Sequence, residues 1–144
     1  MIRRVHPIAG VVGFLTILTF WVSTVAGELF GSHQTIAAIK QAIPWGFILL
    51  VPALAITGAS GFKMAGGSLE PALLRKSRRM PFIAANGILV LVPSALYLAA
   101  LAARGDFGMA FYATQALELV AGAINLSLMA LNIRDGLRVT GRLK

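Results

Sequence analysis

The strongest candidate for a chemical role in this sequence is an acidic residue inside an apolar segment. Glu118 lies about ten residues into the run that begins at Met109, or about 15 Å into a membrane-spanning helix. A charged residue at the bilayer centre costs about 2.5 to 3.5 kcal/mol on insertion-based scales. We therefore expect Glu118 to face other helices, where its carboxyl group is a candidate for a proton, cation or substrate path. The simpler alternative is a protonated Glu118 that stabilises the bundle through a hydrogen bond between helices.

Other polar residues share one face of the helix that carries Glu118. Their spacing places them on one stripe, formed by Gln115, Glu118, Gly122, Asn125 and Asn132. Such a stripe needs polar partners on neighbouring helices, because unpaired polar groups are costly in hydrocarbon. The partners expected from the other segments are Thr16, Thr19, Ser23 and Tyr97. Together these residues predict a polar seam inside the membrane.

The two histidines are candidate ligands for the iron of haem b. Twenty-seven residues of mostly helix between His6 and His33 separate them by about 35 to 40 Å, so one chain cannot clamp one iron between them. The candidate second ligands for His6 are Met64, Met80, Met129 or His6 of a second copy, and for His33 the candidate is Met109. No metal site beyond the haem iron at His6 is predicted. The alternative is a histidine that binds headgroups and methionines that fill apolar space.

The sequence carries no recognisable catalytic set. It has no phosphate-cradling glycine loop, no metal-ligand cluster, no nucleophile paired with a base and no cysteine. We expect no autonomous hydrolase or nucleotide-driven enzyme. If the protein is redox-active, the sequence favours a b-haem electron carrier.

Four apolar runs must position these residues, at residues 8–30, 44–66, 81–103 and 109–133. Each is long enough to cross about 30 Å of hydrocarbon once. The composition agrees, with 58% hydrophobic residues and a mean hydropathy of +0.82. A membrane barrel would need about eight or more alternating strands, which 144 residues of unbroken apolar runs do not supply. The sequence predicts an all-α integral membrane protein, a four-transmembrane-helix bundle forming a single membrane domain over residues 1–144.

Basic residues flank these runs on one predicted side, which leaves only Lys40 and Arg104 for the other. They are Arg3, Arg4, Lys63, Arg75, Lys76, Arg78, Arg79, Arg134, Arg138, Arg142 and Lys144. The positive-inside rule predicts an N-in/C-in protein with both termini cytoplasmic, in a bacterial inner membrane. The net charge of +8 then indicates attraction to anionic lipids on the inner side and no nucleic-acid partner. The first run is longer than the about 7 to 15 residues usual for a signal peptide, so we expect it to be a retained span.

The connections predict short interfacial helices. In the first outer loop, residues 31–43, Ile36, Ile39, Lys40 and Ile43 recur at helical spacing after Ser32, a candidate N-cap. In the inner loop, residues 67–80, Ser68 precedes Leu69, Leu73 and Leu74. Glu28 and Lys40 are expected to form at most an exposed pair of little energetic value.

Three functions follow from these features. The first is a non-catalytic or accessory subunit of a homo-oligomeric or larger membrane assembly, which fits the small residues spaced by four along the second run, such as Ala53, Thr57 and Gly61. The second is a b-type haem protein for electron transfer or haem handling that uses His6. The third is a small proton-coupled transporter centred on Glu118.

Overall fold

The computed structural model describes residues 2–66 and 71–141. Over these residues the chain forms five α-helices and one π-helical turn, without a strand, so the all-α prediction is confirmed. The helices are α1 (Ile2–Phe30), α2 (His33–Ala65), α3 (Pro71–Asn86), α4 (Val92–Ala103) and α5 (Met109–Val139). The π-helical turn, Gly87–Leu91, joins α3 and α4 into one continuous rod.

Four helical segments of the described chain are long and apolar enough to cross a membrane. They are Arg4–Phe30, His33–Met64, Pro71–Ala103 and Met109–Val139. The rod of α3 and α4 has 33 residues in this range, or about 50 Å at 1.5 Å per residue, which exceeds a hydrocarbon core of about 30 Å. The prediction of four span-like helices is therefore confirmed. Each helix is longer than the hydrocarbon core of a bilayer is thick.

The two connections expected to form separate interfacial helices differ from that expectation. Residues 33–43 belong to α2, and residues 71–80 belong to α3. Ser32 does cap a helix, because its side chain accepts a hydrogen bond from the Thr35 N–H at 3.3 Å, but the helix is α2 itself. Ser68 and Leu69 lie outside the described residues.

Burial explains why α2 starts so early. Ile36 packs with Leu98 and Phe111 in an apolar cluster, and Lys40 is only 1% exposed. Pro44 lies inside α2, where a proline costs about 3 kcal/mol, yet the helix continues through it. The first turns of α2 are thus held within the bundle by tertiary contacts that outweigh the local penalty.

The helices form a ring in which each packs against two neighbours. Helix α1 contacts α2 and α5, and the rod of α3 and α4 contacts the same two helices. Among the described residues, no Cα pair closer than 8 Å joins α1 to the rod or α2 to α5. Helices on opposite sides of the ring can therefore contact each other only through long side chains.

The two ends of the ring differ in charge. We call the end that contains the turns at residues 31–32 and 104–108 the hairpin end. The other is the basic end, where His6 of α1, Ser60 of α2 and Lys76 of α3 lie in hydrogen-bond contact. Exposed basic residues gather there, namely Arg4, Lys63, Arg75, Arg78, Arg134 and Arg138. Arg142 and Lys144 lie outside the described residues.

A matched pair of glycines in α2 tests how tightly the helices pack. A Cβ atom at Gly46 would lie 2.2 Å from Cζ of Phe20 on α1, whereas one at Gly58 would meet no atom within 4 Å. We expect Gly46→Ala to lower the free energy of unfolding in detergent by about 1 to 3 kcal/mol, as overpacking does. We expect Gly58→Ala to be neutral or stabilising by up to about 1 kcal/mol, because alanine favours helix. Equal stabilities of the two variants would contradict the packing of Phe20 on Gly46.

Candidate functional site

A buried lysine organises the polar groups at the hairpin end. Lys40 Nζ forms an ion pair with Glu118 Oε2 and donates a hydrogen bond to Thr24 Oγ1 at 3.2 Å. The side chain of Glu118 is 12% exposed. Lys40 belongs to α2 and Glu118 to α5, so this pair bridges two helices whose backbones do not touch. It is one of the side-chain links across the ring.

A second carboxyl group lies beside this pair. Gln115, one helical turn before Glu118 on α5, donates a hydrogen bond through Nε2 to Oε1 of Glu28 on α1. Gln115 is only 3% exposed, and its Oε1 has no hydrogen-bond partner among the described residues. We call Thr24, Glu28, Lys40, Gln115 and Glu118 the Lys40 cluster. It joins three helices around one cation and two carboxyl groups.

Helical periodicity places these side chains. Gln115 and Glu118 are three residues apart on α5, and Thr24 and Glu28 are four apart on α1, so each pair lies on one helix face. Lys40 completes the cluster because α2 starts at His33 and carries it into the bundle. The long lysine stem then reaches across the ring.

A cavity of about 310 Å³ lies in the middle of the ring, and it extends from the Lys40 cluster toward the basic end. Apolar side chains form most of its wall, including Phe20, Trp21, Phe47, Leu50, Ile83 and Leu91. Its polar lining residues are Thr24 and Glu118 at the hairpin end and Asn125 toward the basic end. The site thus combines an apolar chamber with a charged group at one end.

The cavity opens sideways between α2 and the π-helical turn. Among the described residues, α2 contacts α3 and α4, yet no Cα pair within 8 Å joins it to residues 87–91. Val51 on α2 and Ile88 on the π-helical turn line the cavity and are 55% and 67% exposed. If the four helices span a bilayer, this opening faces lipid rather than water.

The π-helical turn has a local cause. The Val92 N–H donates to the Gly87 carbonyl, five residues back, and Pro93 has no N–H to donate. Pro93 thus directly follows a widened turn. Such single π turns occur frequently at functional sites.

Amide and indole groups fix the wall of the cavity opposite α2. Asn86 Nδ2 donates to the Ala121 carbonyl at 2.8 Å and to Asn125 Oδ1 at 3.0 Å, which ties α3 to α5. Trp21 Nε1 donates to the Leu119 carbonyl at 2.9 Å. Trp21 approaches closely because residue 122 is glycine: a Cβ there would lie 2.9 Å from the indole Cδ1. Trp21 therefore joins α1 to α5 and faces the cavity.

The stripe of α5 lies inside the bundle, but among the described residues no hydrogen bond joins it to the partners expected from the sequence. Gln115, Gly122, Asn125 and Asn132 are buried. Thr16 and Thr19 instead donate to carbonyls of their own helix, at Val12 and Leu15. Tyr97 is 46% exposed, and Ser23 is partly buried next to Thr24, the residue that does contact Lys40.

Lys40 is a central residue of this candidate site that the sequence did not lead us to expect there. It was expected at an exposed interface, paired at most with Glu28. A signal was present, because Lys40 shares its helix face with Ile36 and Ile43, which are both buried. A lysine on the apolar face of a helix indicates a buried partner.

His6 lies in a hydrogen-bonded chain at the basic end. Lys76 Nζ lies 2.7 Å from His6 Nε2, and His6 Nδ1 lies 2.9 Å from Ser60 Oγ. Since an ammonium group only donates, Nε2 accepts, and a neutral His6 then carries its proton on Nδ1. The Ser60 hydroxyl is satisfied in turn by carbonyls of its own helix, at Ile56 and Thr57. A haem iron would bind one ring nitrogen of His6, and both of these nitrogens are already hydrogen-bonded to protein groups.

Two of the methionines predicted as candidate second ligands, Met80 and Met129, contact other side chains. Met80 Sδ accepts a weak hydrogen bond from Asn132 Nδ2 at 3.5 Å. Met129 packs in an apolar cluster with Ile17, Leu50 and Ile83. Among the described residues, three or more histidine, cysteine, aspartate or glutamate side chains do not come together as a metal site. His33, at the hairpin end, stacks on Phe107 at 4.3 Å between ring centroids.

An ion-pair cluster around Asp135 was also missed from the sequence. Asp135 is 1% exposed and accepts a hydrogen bond from Arg79 at 2.7 Å, with Arg75 at 3.8 Å. Arg79 also reaches Asn132 at 3.4 Å. The signal was again present, since Asp135 lies three residues after Asn132 and continues the polar stripe. This cluster links α3 to α5 at the basic end.

No known protein family matches this chain, and neither a curated protein nor a solved structure matches it.

Proposed function

We propose that this protein is a small integral membrane protein that binds a lipophilic ligand, taken up sideways from the bilayer, in its central cavity. The observation that carries the proposal is the apolar cavity of about 310 Å³ that is open between α2 and the π-helical turn. Small-molecule sites are typically concave, mostly apolar and about 300 to 1,000 Å³ in volume, with a few polar groups that orient the ligand. The cavity has each of these properties.

The membrane setting supports entry from lipid. The exposed side chains around the opening are apolar, with Val51, Ile88 and Leu89 all more than half exposed. Such a surface is compatible with hydrocarbon and unfavourable in water. A ligand that partitions into the bilayer would therefore meet the opening directly.

The proposed orientation puts the basic end on the cytoplasmic side of a bacterial inner membrane. The exposed arginines of that end and Lys63 support it, because basic residues are retained on the cytoplasmic side. The Lys40 cluster, which includes Glu118, then lies toward the outer half of the bilayer. The subunit, haem and proton-coupled carrier hypotheses stay predictions from the sequence, and ligand binding is compatible with the first and the third.

Trp21 offers a direct test, because it lines the cavity and the only other tryptophan, Trp45, is 75% exposed. In a Trp45→Phe background, the brominated alkane bromododecane is expected to quench Trp21 fluorescence in a saturable manner. Ala84→Phe, at an exposed position on the cavity wall, is expected to weaken this binding roughly tenfold or more, since about 1.4 kcal/mol of steric cost suffices.

The matched control is Ala85→Phe, which adds the same side chain at the next exposed position, outside the cavity wall. This variant is expected to bind the probe like its parent. Quenching that rises linearly with the probe, without saturation and equally in both variants, would show partition into detergent and contradict the proposal.

A further inference from the structure

The charges at the hairpin end of the cavity do not balance. The Lys40 cluster holds one ammonium group, on Lys40, and two carboxyl groups, on Glu28 and Glu118. Helix α4, which packs nearby against α2 and α5, carries no charged side chain. With all three groups ionised, the cluster has one net negative charge inside the bundle. One further positive charge would neutralise it.

The hydrogen-bonding groups show the same shortage of donors. Gln115 Oε1 is buried without a hydrogen-bond partner in the described part of the chain, although Gln115 Nε2 is bound to Glu28. Leaving a buried acceptor unpaired costs about 1 to 3 kcal/mol. Lys40 donates to Thr24 and Glu118 and forms no hydrogen bond with this oxygen. The cluster therefore offers acceptors to a ligand that brings donors.

On the basis of the proposed lipophilic site, we propose that its ligand carries a primary ammonium group, which binds at Glu118 beside Gln115. An ammonium group supplies one positive charge and three N–H donors, and so meets both shortages. Glu118 lines the cavity, so a ligand whose apolar body fills the chamber presents its head to this carboxylate. Glu28, which accepts a hydrogen bond from Gln115, adds a second carboxylate to the cluster. The proposed ligand class is thus a lipophilic primary amine.

Three probes with the same alkyl chain test the head group. Dodecylamine, dodecanol and dodecanoic acid are each used to displace bromododecane from Trp45→Phe protein in a non-ionic detergent. We expect dodecylamine to compete at a concentration roughly tenfold or more below dodecanol, and dodecanoic acid to compete least, because the cluster repels its carboxylate.

Variants of the cluster locate the effect. Glu28→Gln removes one negative charge and keeps the Lys40–Glu118 pair, and it is expected to lose most of the preference for the amine while bromododecane still binds. Glu118→Gln is expected to lose the preference entirely. The control is Asp106→Asn, which removes an exposed charge from the turn at residues 104–108 and should keep the preference unchanged.

The outcomes separate this inference from the proposed function. If bromododecane does not bind saturably, the lipophilic site itself is wrong. If it binds but the amine and the alcohol compete equally, the ammonium proposal is wrong. Stronger competition by the acid, or an amine preference that survives in both Glu28→Gln and Glu118→Gln, would also overturn it.

Discussion

Replacing Lys40 with methionine is expected to lower the free energy of unfolding by about 3 to 5 kcal/mol. Removal of one partner from a buried ion pair leaves the other charge without compensation, and this range is typical of that change. Lys40 is 1% exposed, and its Nζ contacts Glu118 and Thr24. Methionine keeps much of the lysine stem, so the loss reports on the charge rather than on packing. Unfolding in mixed detergent micelles measures it.

The control for this prediction is Lys63→Met, the same substitution at an exposed position of the same helix. It is expected to change the stability by no more than about 0.5 kcal/mol. The double variant Lys40→Met with Glu118→Gln is expected to recover part of the loss, because it removes both charges of the pair. A Lys40→Met protein as stable as Lys63→Met would show that the buried pair is absent.

Asp135→Asn is the second substitution with a large expected effect. Asp135 is 1% exposed and faces Arg79, whose side chain is 20% exposed, with Arg75 nearby. Asparagine has nearly the same shape and keeps one acceptor oxygen for Arg79, but it carries no charge and cannot neutralise the two arginines. We expect a loss of about 3 kcal/mol, at the lower end of the range for a broken buried pair. Loss of this ion pair is also expected to make the basic end of the interface between α3 and α5 more susceptible to proteolysis.

The matched control is Asp106→Asn, an equally conservative change at an exposed residue of the turn at the hairpin end. It keeps the side-chain oxygen that accepts from the Gly108 N–H at 3.2 Å, and so should leave the stability within about 0.5 kcal/mol of the parent. Equal losses for the two aspartates would mean that Asp135 is not in a buried pair.

Much of the bundle could be predicted residue by residue. The four apolar runs became four span-like helices, Ser32 is a helix N-cap, and the stripe from Gln115 to Asn132 is mostly buried. These features depend on hydrophobicity, helical spacing and capping, which are properties of neighbouring residues. They can therefore be read before the helices are packed.

The partners of the polar stripe could not be predicted in the same way. Thr16, Thr19 and Tyr97 had suitable chemistry and depth, yet Lys40, Thr24 and Glu28 form the cluster with Glu118 and Gln115. A threonine in a helix can satisfy its hydroxyl on a carbonyl four residues back, as Thr16 and Thr19 do, and then has no need of a partner. Which groups meet across the ring depends on the rotation of each helix about its axis.

The sequence by itself determined that this protein is all-helical with four span-like helices, because sustained hydrophobicity is a property of each segment of the chain. Only the tertiary structure decided that Lys40 enters the bundle, that Asp135 binds Arg79 and that a cavity opens beside the π-helical turn. The physical reason is that burial, ion pairing and empty volume arise between helices. They depend on packing that no single segment contains.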